Sequence, residues 1–193
     1  MPRSIEFDEE EVLKKAMTLF WEKGYYDTSI KDLIQALGIS NASIYNSFGG
    51  KKQLFNRALD YYRETNFQGL SDFIRSQKEV KQGLIMIFNK IIQDDKNDPD
   101  CKGCFIVNTS TELIPADPAI QGVVDAHKER IEKVFYDFLL RGVKEGQIAE
   151  TKDIQVISRL LYTLMTGLRV LGKSKPSPEE AMASVKAVLS LLD

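Results

Sequence analysis

T28-S-I-K-D-L-I-Q-A-L-G-I-S-N-A-S-I-Y-N-S-F-G-G-K-K-Q-L54 predicts two short helices joined by a tight turn, with a third helix directly after them. The first helix has one apolar face, whose residues recur at helical spacing: Ile30, Leu33, Ile34 and Leu37. Gly38 suits the left-handed residue that ends a helix, and Ser40 is a good N-cap for the next one. This order of signals predicts a helix-turn-helix.

The second helix of the pair is predicted from Asn41 to Phe48. Ile44 and Phe48 lie four residues apart, so they share the face that packs on the first helix. Asn41 and Asn46 lie elsewhere on the helix, together with other small side chains. Such a helix can enter the major groove of DNA while its inner face stays packed.

Several short motifs between Phe7 and Tyr62 occur in a characteristic order: L19-F-W-E-K-G-Y25, Thr28-Ser29, Gly38-Ile39-Ser40, Ile44-Tyr45, Phe48 and Lys51. In this order and spacing, the first third of the chain resembles the DNA-binding domain of TetR/AcrR-type bacterial repressors. The run G103-C-F-I-V-N108 is similar to a pattern in a subset of TetR-like bodies. The resemblance implies an all-α protein with a helix-turn-helix head at residues 1–62. An effector-binding and dimerisation body would follow at residues 63–193.

Candidate DNA contacts cluster at the N-terminal end of the predicted recognition helix: Ser40, Asn41, Ala42, Ser43 and Asn46. A free helix N-terminus with short polar side chains suits phosphate oxygens and base edges. This helix has no Arg, so we expect Asn41 or Asn46 to read adenine rather than an Arg to read guanine.

The resemblance adds phosphate contacts by Tyr45 and Lys51, and by Thr28 or Ser29. Each of these roles has a structural alternative. Ser40 can be an N-cap that makes no DNA contact. Tyr45 can belong partly to the core, and Lys51 can simply be a solvent-exposed residue at the start of a helix. A cation at a helix N-terminus opposes the helix dipole, and a phosphate contact would account for that cost.

The charge of the whole chain does not reveal a nucleic-acid partner. The 193 residues carry a net charge of −2. Residues 28–57, however, contain four basic residues, Lys31, Lys51, Lys52 and Arg57, against the single acid Asp32. So small a basic patch predicts modest affinity per protomer, which favours a dimer. The N-terminus has no apolar signal-peptide core and we find no run of twenty apolar residues, so we expect a soluble cytoplasmic protein without a membrane partner.

The last two predicted helices, at about 153–172 and 178–192, carry apolar residues at coiled-coil-like spacing. In the first they are Ile154, Ile157, Leu161, Leu164, Leu168 and Leu171, and in the second Ala181, Val185, Val188 and Leu192. Faces this broad can bury their surplus in a second copy, giving a four-helix homodimer interface as in the resembled family. The alternative is that they close the core of a monomer.

The body is expected to hold a small-molecule effector among its middle helices, because the resembled family couples an effector to DNA binding. Candidate contacts are polar or aromatic residues among apolar neighbours: Phe88, Asn108, Thr109, Glu112, His127, Tyr162 and Met165. Each can equally be core, cap or surface. His127 lies in the polar stretch A126-H-K-E-R130, so we expect it to be exposed to solvent.

Cys101 and Cys104 form the motif C-K-G-C. In a reducing cytoplasm this motif can be a redox dithiol or half of a metal site. A zinc site needs about four ligands and no second C-x-x-C is present, so no metal is predicted. Lys102 could favour a Cys101 thiolate, and Cys104 is expected to be buried. Two inert cysteines are the simpler interpretation, with thiol-based sensing as the alternative.

Enzyme activity is not expected. The chain contains no G-x-G-x-x-G, P-loop or G-x-S-x-G motif, and its single His has no matched nucleophile. No cofactor is predicted. The sequence therefore favours a homodimeric transcriptional regulator, most simply a repressor released from a palindromic operator by a small molecule. A thiol-sensing regulator and a binding protein without operator function remain as alternatives.

Overall fold

The computed structural model describes residues 7–193, so residues 1–6, at the start of the predicted DNA-binding domain, lie outside the described part. Residues 7–193 form helices and turns without a strand, which confirms the all-α prediction. The helices are α1 (Glu9–Lys23), α2 (Ile30–Leu37), α3 (Asn41–Phe48), α4 (Lys51–Ser76), α5 (Val80–Asn97), α6 (Phe105–Leu113), α7 (Pro118–Lys144), α8 (Ile154–Leu171) and α9 (Pro178–Leu189). Short 3-10 turns, Gly172–Ser174 and Ser190–Leu192, follow α8 and α9.

The chain divides into two compact units, residues 1–66 and 67–193, and the division falls inside helix α4. We call the first unit the head and the second the body. The boundary predicted from the sequence, between residues 62 and 63, also lies within α4.

The head consists of short helices whose ends are set by local residues. Ser29 caps α2 and Ser40 caps α3, each side-chain oxygen accepting a hydrogen bond from the backbone N–H three residues later. Gly38 ends α2 with φ +70°, a left-handed conformation that glycine adopts without steric cost. The core beneath these helices is made of fully buried side chains: Phe20, Leu33, Ile44, Leu54, Phe55 and Leu59. This core fixes the position of α3.

The body packs α7 against α8, and α5 against α8 and α9, around one apolar core. Most of the coiled-coil-like seam predicted on the last two helices lies in this core. On α8, Ile157, Leu161 and Leu168 are buried, and α9 buries Ala181 and Val185. Most of the seam therefore packs within the single chain, and the dimer stays a prediction.

Helix α8 nevertheless presents a second, outward apolar face, on which Val156, Val170 and Leu171 are exposed. The segment Ile154–Ser174 is also long and apolar enough to cross a membrane by length and composition alone, as are many core helices of soluble proteins. It is not a run of twenty apolar residues, because Gln155, Arg159 and Arg169 interrupt it. Within this segment, Arg169 forms an ion pair with the buried Asp95 of α5 at 2.5 Å. The helix is thereby tied to the body by charge as well as by apolar packing.

Candidate nucleic-acid interface

Helix α3 has one face that anchors it in the head and one face that is open. Ile44 and Phe48 are buried on the inner face. The side chains on the open face are Asn41, Ala42, Tyr45, Asn46 and Ser47. Four of these five residues were predicted from the sequence as DNA contacts. Ser47 was not, although its small polar side chain could have indicated it. An eight-residue helix held only from one side leaves the other free to approach a groove.

Ser40 and Ser43 form the N-terminal cap of α3. Ser40 Oγ accepts a hydrogen bond from the Ser43 N–H at 3.1 Å and lies 3.0 Å from Ser43 Oγ. Ser40 is exposed and Ser43 is half-buried. Ser40 is thus an N-cap, and its position at the open end of the helix also keeps it available to a phosphate.

Thr28 and Ser29 precede α2 in different environments. Thr28 is 0% exposed, and its hydroxyl donates to the Gly24 carbonyl oxygen at 2.6 Å. The prediction that Thr28 could contact phosphate is therefore wrong for its side chain, because the hydroxyl is inside the head and already used. Ser29 is exposed and forms a capping box with Asp32, so of these two side chains only Ser29 stays a candidate for the predicted phosphate contact.

The Ser29–Asp32 capping box concentrates hydrogen bonds on one carboxylate. The Ser29 hydroxyl donates to Asp32 Oδ2 at 2.7 Å and the Ser29 N–H donates to the same oxygen at 2.9 Å. Lys23 lies 3.0 Å from the other carboxylate oxygen. These contacts, the Ser29 hydroxyl first, hold the pKa of Asp32 far below its ordinary value. Asp32 is therefore a charged, paired group that fixes the beginning of α2.

A two-glycine turn connects the recognition helix to Lys51, the first residue of α4. Gly49 and Gly50 have φ of +81° and +102°, values that L side chains rarely adopt. A Cβ at Gly50 would lie only 3.0 Å from Cε1 of Tyr45, so the Tyr45 ring packs directly on the turn. Tyr45 is still 54% exposed. Lys51 Nζ lies 4.4 Å from the centroid of the Tyr25 ring. The turn thus brings Tyr45 and Lys51, both predicted phosphate contacts, to one region of the head.

Two charged residues of the predicted basic patch, Arg57 and Asp32, pair with residues outside it, so the excess of positive charge counted along the sequence is unchanged. Arg57 makes an ion pair with Glu9, and its guanidinium lies 5.0 Å from the centroid of the Phe48 ring. Arg57 therefore packs against Phe48 on the inner face of α3. The remaining cations of the predicted basic patch are Lys31, Lys51 and Lys52.

The predicted effector residues lie on four helices of the body. Phe88 of α5 is in the core, where its ring stacks on Phe135 with centroids 6.4 Å apart, and Tyr162 and Met165 of α8 pack against the same cluster. Thr109 of α6 is 1% exposed, and its hydroxyl has no hydrogen-bond partner in the described structure.

Two further candidates on α6 are half-buried, and one of them has a structural role. Asn108 donates to the Lys102 carbonyl oxygen at 2.8 Å and so holds the loop before α6. Glu112 is half-buried on the same helix. Burial raises the pKa of the Tyr162 phenol, which keeps Tyr162 a neutral hydrogen-bonding group.

His127 is buried at 6% exposure, so the prediction that it faces solvent was wrong. Its charged sequence neighbours were misleading. Counted along helix α7, His127 falls on the buried stripe with Ile120, Ile131, Phe135 and Phe138, at steps of three or four and seven residues. The helical period was therefore the signal that could have placed it inside.

The cysteine loop differs from expectation in two details. Cys104 is partly exposed, although it was expected to be buried, because it precedes α6 as its N-cap residue. The Lys102 ammonium lies 3.0 Å from Asp98 Oδ1 and 2.8 Å from Asp100 Oδ2. It is held by these carboxylates, so its predicted support of a Cys101 thiolate is not seen. Among residues 7–193, no group of three or more His, Cys, Asp or Glu side chains could hold a metal ion.

Residues 12–58 match the family model of bacterial regulatory proteins of the tetR family. The chain is 31% identical over 194 residues to the uncharacterized HTH-type transcriptional regulator YezE of Bacillus subtilis, with 100% of both proteins covered. It is 27% identical to the HTH-type transcriptional repressor ComR of Escherichia coli, over 96% of this chain and 89% of ComR. A cysteine mutant of the TetR family transcriptional regulator CifR, complexed with 26-bp operator DNA, has a TM-score of 0.87 at 25% identity and covers 99% of this chain and 100% of its own.

Proposed function

Because the chain belongs to the TetR family of helix-turn-helix transcriptional regulators, we propose that it is a homodimeric cytoplasmic repressor that binds a palindromic operator and is released by a small-molecule effector. The observation that carries this proposal is the division of α3 into a buried inner face and an open polar face. A helix that served only to close a core would not need an exposed face of five residues.

We assign base reading to Asn41 and Asn46, an apolar contact to Ala42, and phosphate contacts to Tyr45 and Lys51. An Asn side chain can bind adenine through two hydrogen bonds in the major groove. Ser29, Ser40 and Ser43 would contact phosphate at the starts of α2 and α3, where free backbone N–H groups point outward. In CifR, a structural neighbour of this chain, the operator complex supports DNA as the partner.

The dimer would form through the outward face of α8 together with α9. Val156, Val170 and Leu171 are exposed in the single chain, and a two-fold axis places the same patch on both partners. In such a dimer, two recognition helices meet successive major grooves about 34–36 Å apart. Two modestly basic heads then supply the affinity that one head lacks.

The effector would bind in the body near Thr109 and Tyr162. The Tyr162 phenol lies with Met165 against the core cluster that contains Phe88, and the buried, unpartnered Thr109 hydroxyl of α6 would supply a second hydrogen-bonding group. To release DNA, the effector must bind the DNA-incompetent conformation of the dimer more tightly than the competent one, because equal affinity shifts no population.

Selection of binding sites from random duplex DNA by the purified full-length protein tests the proposal. We expect a palindromic site whose half-sites are about one helical turn apart. If no site is enriched in the presence or absence of cell metabolites, the protein is a binding protein without operator function.

A second candidate function is thiol-based sensing by Cys101 and Cys104. Both side chains are free thiols and partly exposed, so an oxidant or an electrophile can reach them. DNA release would then follow oxidation or electrophile addition rather than reversible ligand binding. The test is DNA affinity with and without a thiol oxidant, for the protein and for a Cys101→Ser, Cys104→Ser variant. Release in the first and not in the second supports thiol sensing, and identical behaviour excludes it.

A further inference from the structure

Lys51 is an unfavourably placed cation unless something compensates for it. It is the first residue of α4, where the helix dipole is positive. Its ammonium nitrogen lies 4.4 Å from the centroid of the Tyr25 ring, within the distance of a cation–π interaction. The negative face of this ring offsets the dipole and gives the ammonium a defined position.

The Tyr25 ring is itself held firmly. It meets Phe55 of α4 edge to face, with centroids 5.0 Å apart, and stacks on Phe20 of α1 at 6.3 Å. Tyr26 contacts it from the next position at 5.5 Å. Phe20 and Phe55 are fully buried, so the platform under Lys51 is continuous with the core of the head.

We propose that Tyr25 is a positioning residue for DNA binding, whose ring holds the Lys51 ammonium in place to meet a phosphate. The proposal rests on the proposed function and adds a residue that need not touch DNA. An ammonium has three donors, so a ring on one side leaves donors for a phosphate on the other. The ring helps to order the long Lys51 side chain before binding, which lowers the side-chain entropy lost when the ammonium meets a phosphate.

The expected effect of losing the ring is moderate and can be measured. A cation–π interaction at a partly exposed site corresponds to about a two- to fivefold change in affinity per head, or about four- to twenty-fivefold for two heads. If the Lys51 contact is also lost, the slope of log affinity against log salt falls by up to about 0.9 per head.

The test is a double-mutant cycle in the full-length protein, using Tyr25→Leu and Lys51→Met, with binding to one duplex measured at several salt concentrations. We expect Tyr25→Leu to lower affinity and salt slope when Lys51 is present, and to change neither in the Lys51→Met background. An equal loss in both backgrounds would show that Tyr25 acts only through the fold of the head and would overturn the proposal.

A control and a milder series separate positioning from stability. Phe55→Leu removes a neighbouring buried ring while leaving Tyr25 beneath Lys51, so we expect lower thermal stability and an unchanged salt slope. If Tyr25→Leu does not fold, Tyr25→Phe with zero to three ring fluorines keeps the packing and progressively weakens the negative ring face. Affinity should then fall stepwise with fluorination, and a flat series would contradict the proposal.

The wild-type protein distinguishes this inference from the proposed function. If it binds no duplex at any salt concentration, the proposed function fails. If it binds DNA and the cycle shows no coupling between Tyr25 and Lys51, the proposed function stands and only the positioning role is lost.

Discussion

Thr28 and Ser29 are adjacent hydroxyl residues with different tasks. The Thr28 hydroxyl is sealed inside the head on the Gly24 carbonyl, whereas the Ser29 hydroxyl caps α2 at the surface. In the sequence the two are interchangeable candidates for one phosphate contact. Only the direction of the chain between α1 and α2 separates them, because it turns one side chain inward and the next outward.

We expect Thr28→Val to destabilise the head by about 1–2 kcal/mol, because a buried hydrogen bond is lost, and to leave DNA affinity unchanged. Ser29→Ala should cost about 1 kcal/mol of stability through loss of the cap. It should also weaken DNA binding by about tenfold if its hydroxyl meets a phosphate. Thermal unfolding and fluorescence anisotropy with a labelled duplex measure both effects. Weaker DNA binding by folded Thr28→Val would refute this assignment.

Asn41 is expected to determine which base is preferred, whereas Tyr45 and Lys51 are expected to determine affinity for any DNA. Asn41→Ala should reduce discrimination at one position of each half-site by about 1–3 kcal/mol. Lys51→Ala should weaken binding to all sequences alike and lower the salt slope, so it is the matched control. Repeating the selection from random duplexes with each variant measures this, and an unchanged preference profile for Asn41→Ala would remove it from base reading.

The stability of helix α2 comes from its first turn and its packing rather than from its length. Eight residues are too few for a stable isolated helix, so the Ser29–Asp32 capping box and the packing of Leu33 and Leu37 must hold it. Because α2 supports α3, any change in this cap reaches the candidate DNA surface without altering a DNA contact.

The depressed pKa of Asp32 makes this cap sensitive to acid. A carboxyl with a lower pKa in the folded than in the unfolded state contributes stability above its unfolded pKa of about 3.9. That contribution is lost as the pH falls toward the folded pKa. We expect Asp32→Asn to lower the melting temperature at pH 6, and the difference from wild type to shrink steadily below about pH 4. A difference that stayed constant from pH 6 to pH 3 would show that the carboxylate charge is not involved.

The oligomeric state of the whole protein depends on whether a second copy covers the exposed face of α8. Val170 and Leu171 are 50% and 58% exposed in the single chain, which is unusual for adjacent large apolar residues near the end of a helix. Because Leu161 and Leu168 of the same helix are already buried in the body core, this face is available for association without unfolding the chain.

We therefore expect Val170→Glu, Leu171→Glu to give a folded monomer with unchanged helix content and an operator affinity lower by at least two orders of magnitude, because only one head would bind at a time. Met86→Glu, which places one carboxylate at an exposed apolar position of α5, is the control and should remain dimeric. Analytical ultracentrifugation and circular dichroism measure these properties. A dimer that survives the double substitution would contradict the proposed interface.

The sequence predicted those features that are set by local spacing. The bounds of α3, Asn41–Phe48, follow from Ser40 as the cap, Gly49 after the last residue, and the inward pair Ile44 and Phe48. The sequence could not predict how the apolar seam of α8 is shared between core and surface, because this depends on which helices pack on each side. His127 was misplaced for a related reason, since the charged residues around it outweighed its own place on the buried stripe of α7.

The separation of α3 into anchoring and open positions also bears on how the protein can change over evolutionary time. Substitutions at exposed helix positions usually alter stability by less than about 0.5 kcal/mol. Residues 41, 42, 46 and 47 can therefore vary while Ile44 and Phe48 keep the helix in place. A duplicated gene could acquire a new DNA site through a few changes at these positions while the body of the protein stays unchanged. The DNA sequence that is bound would then diverge before the body does.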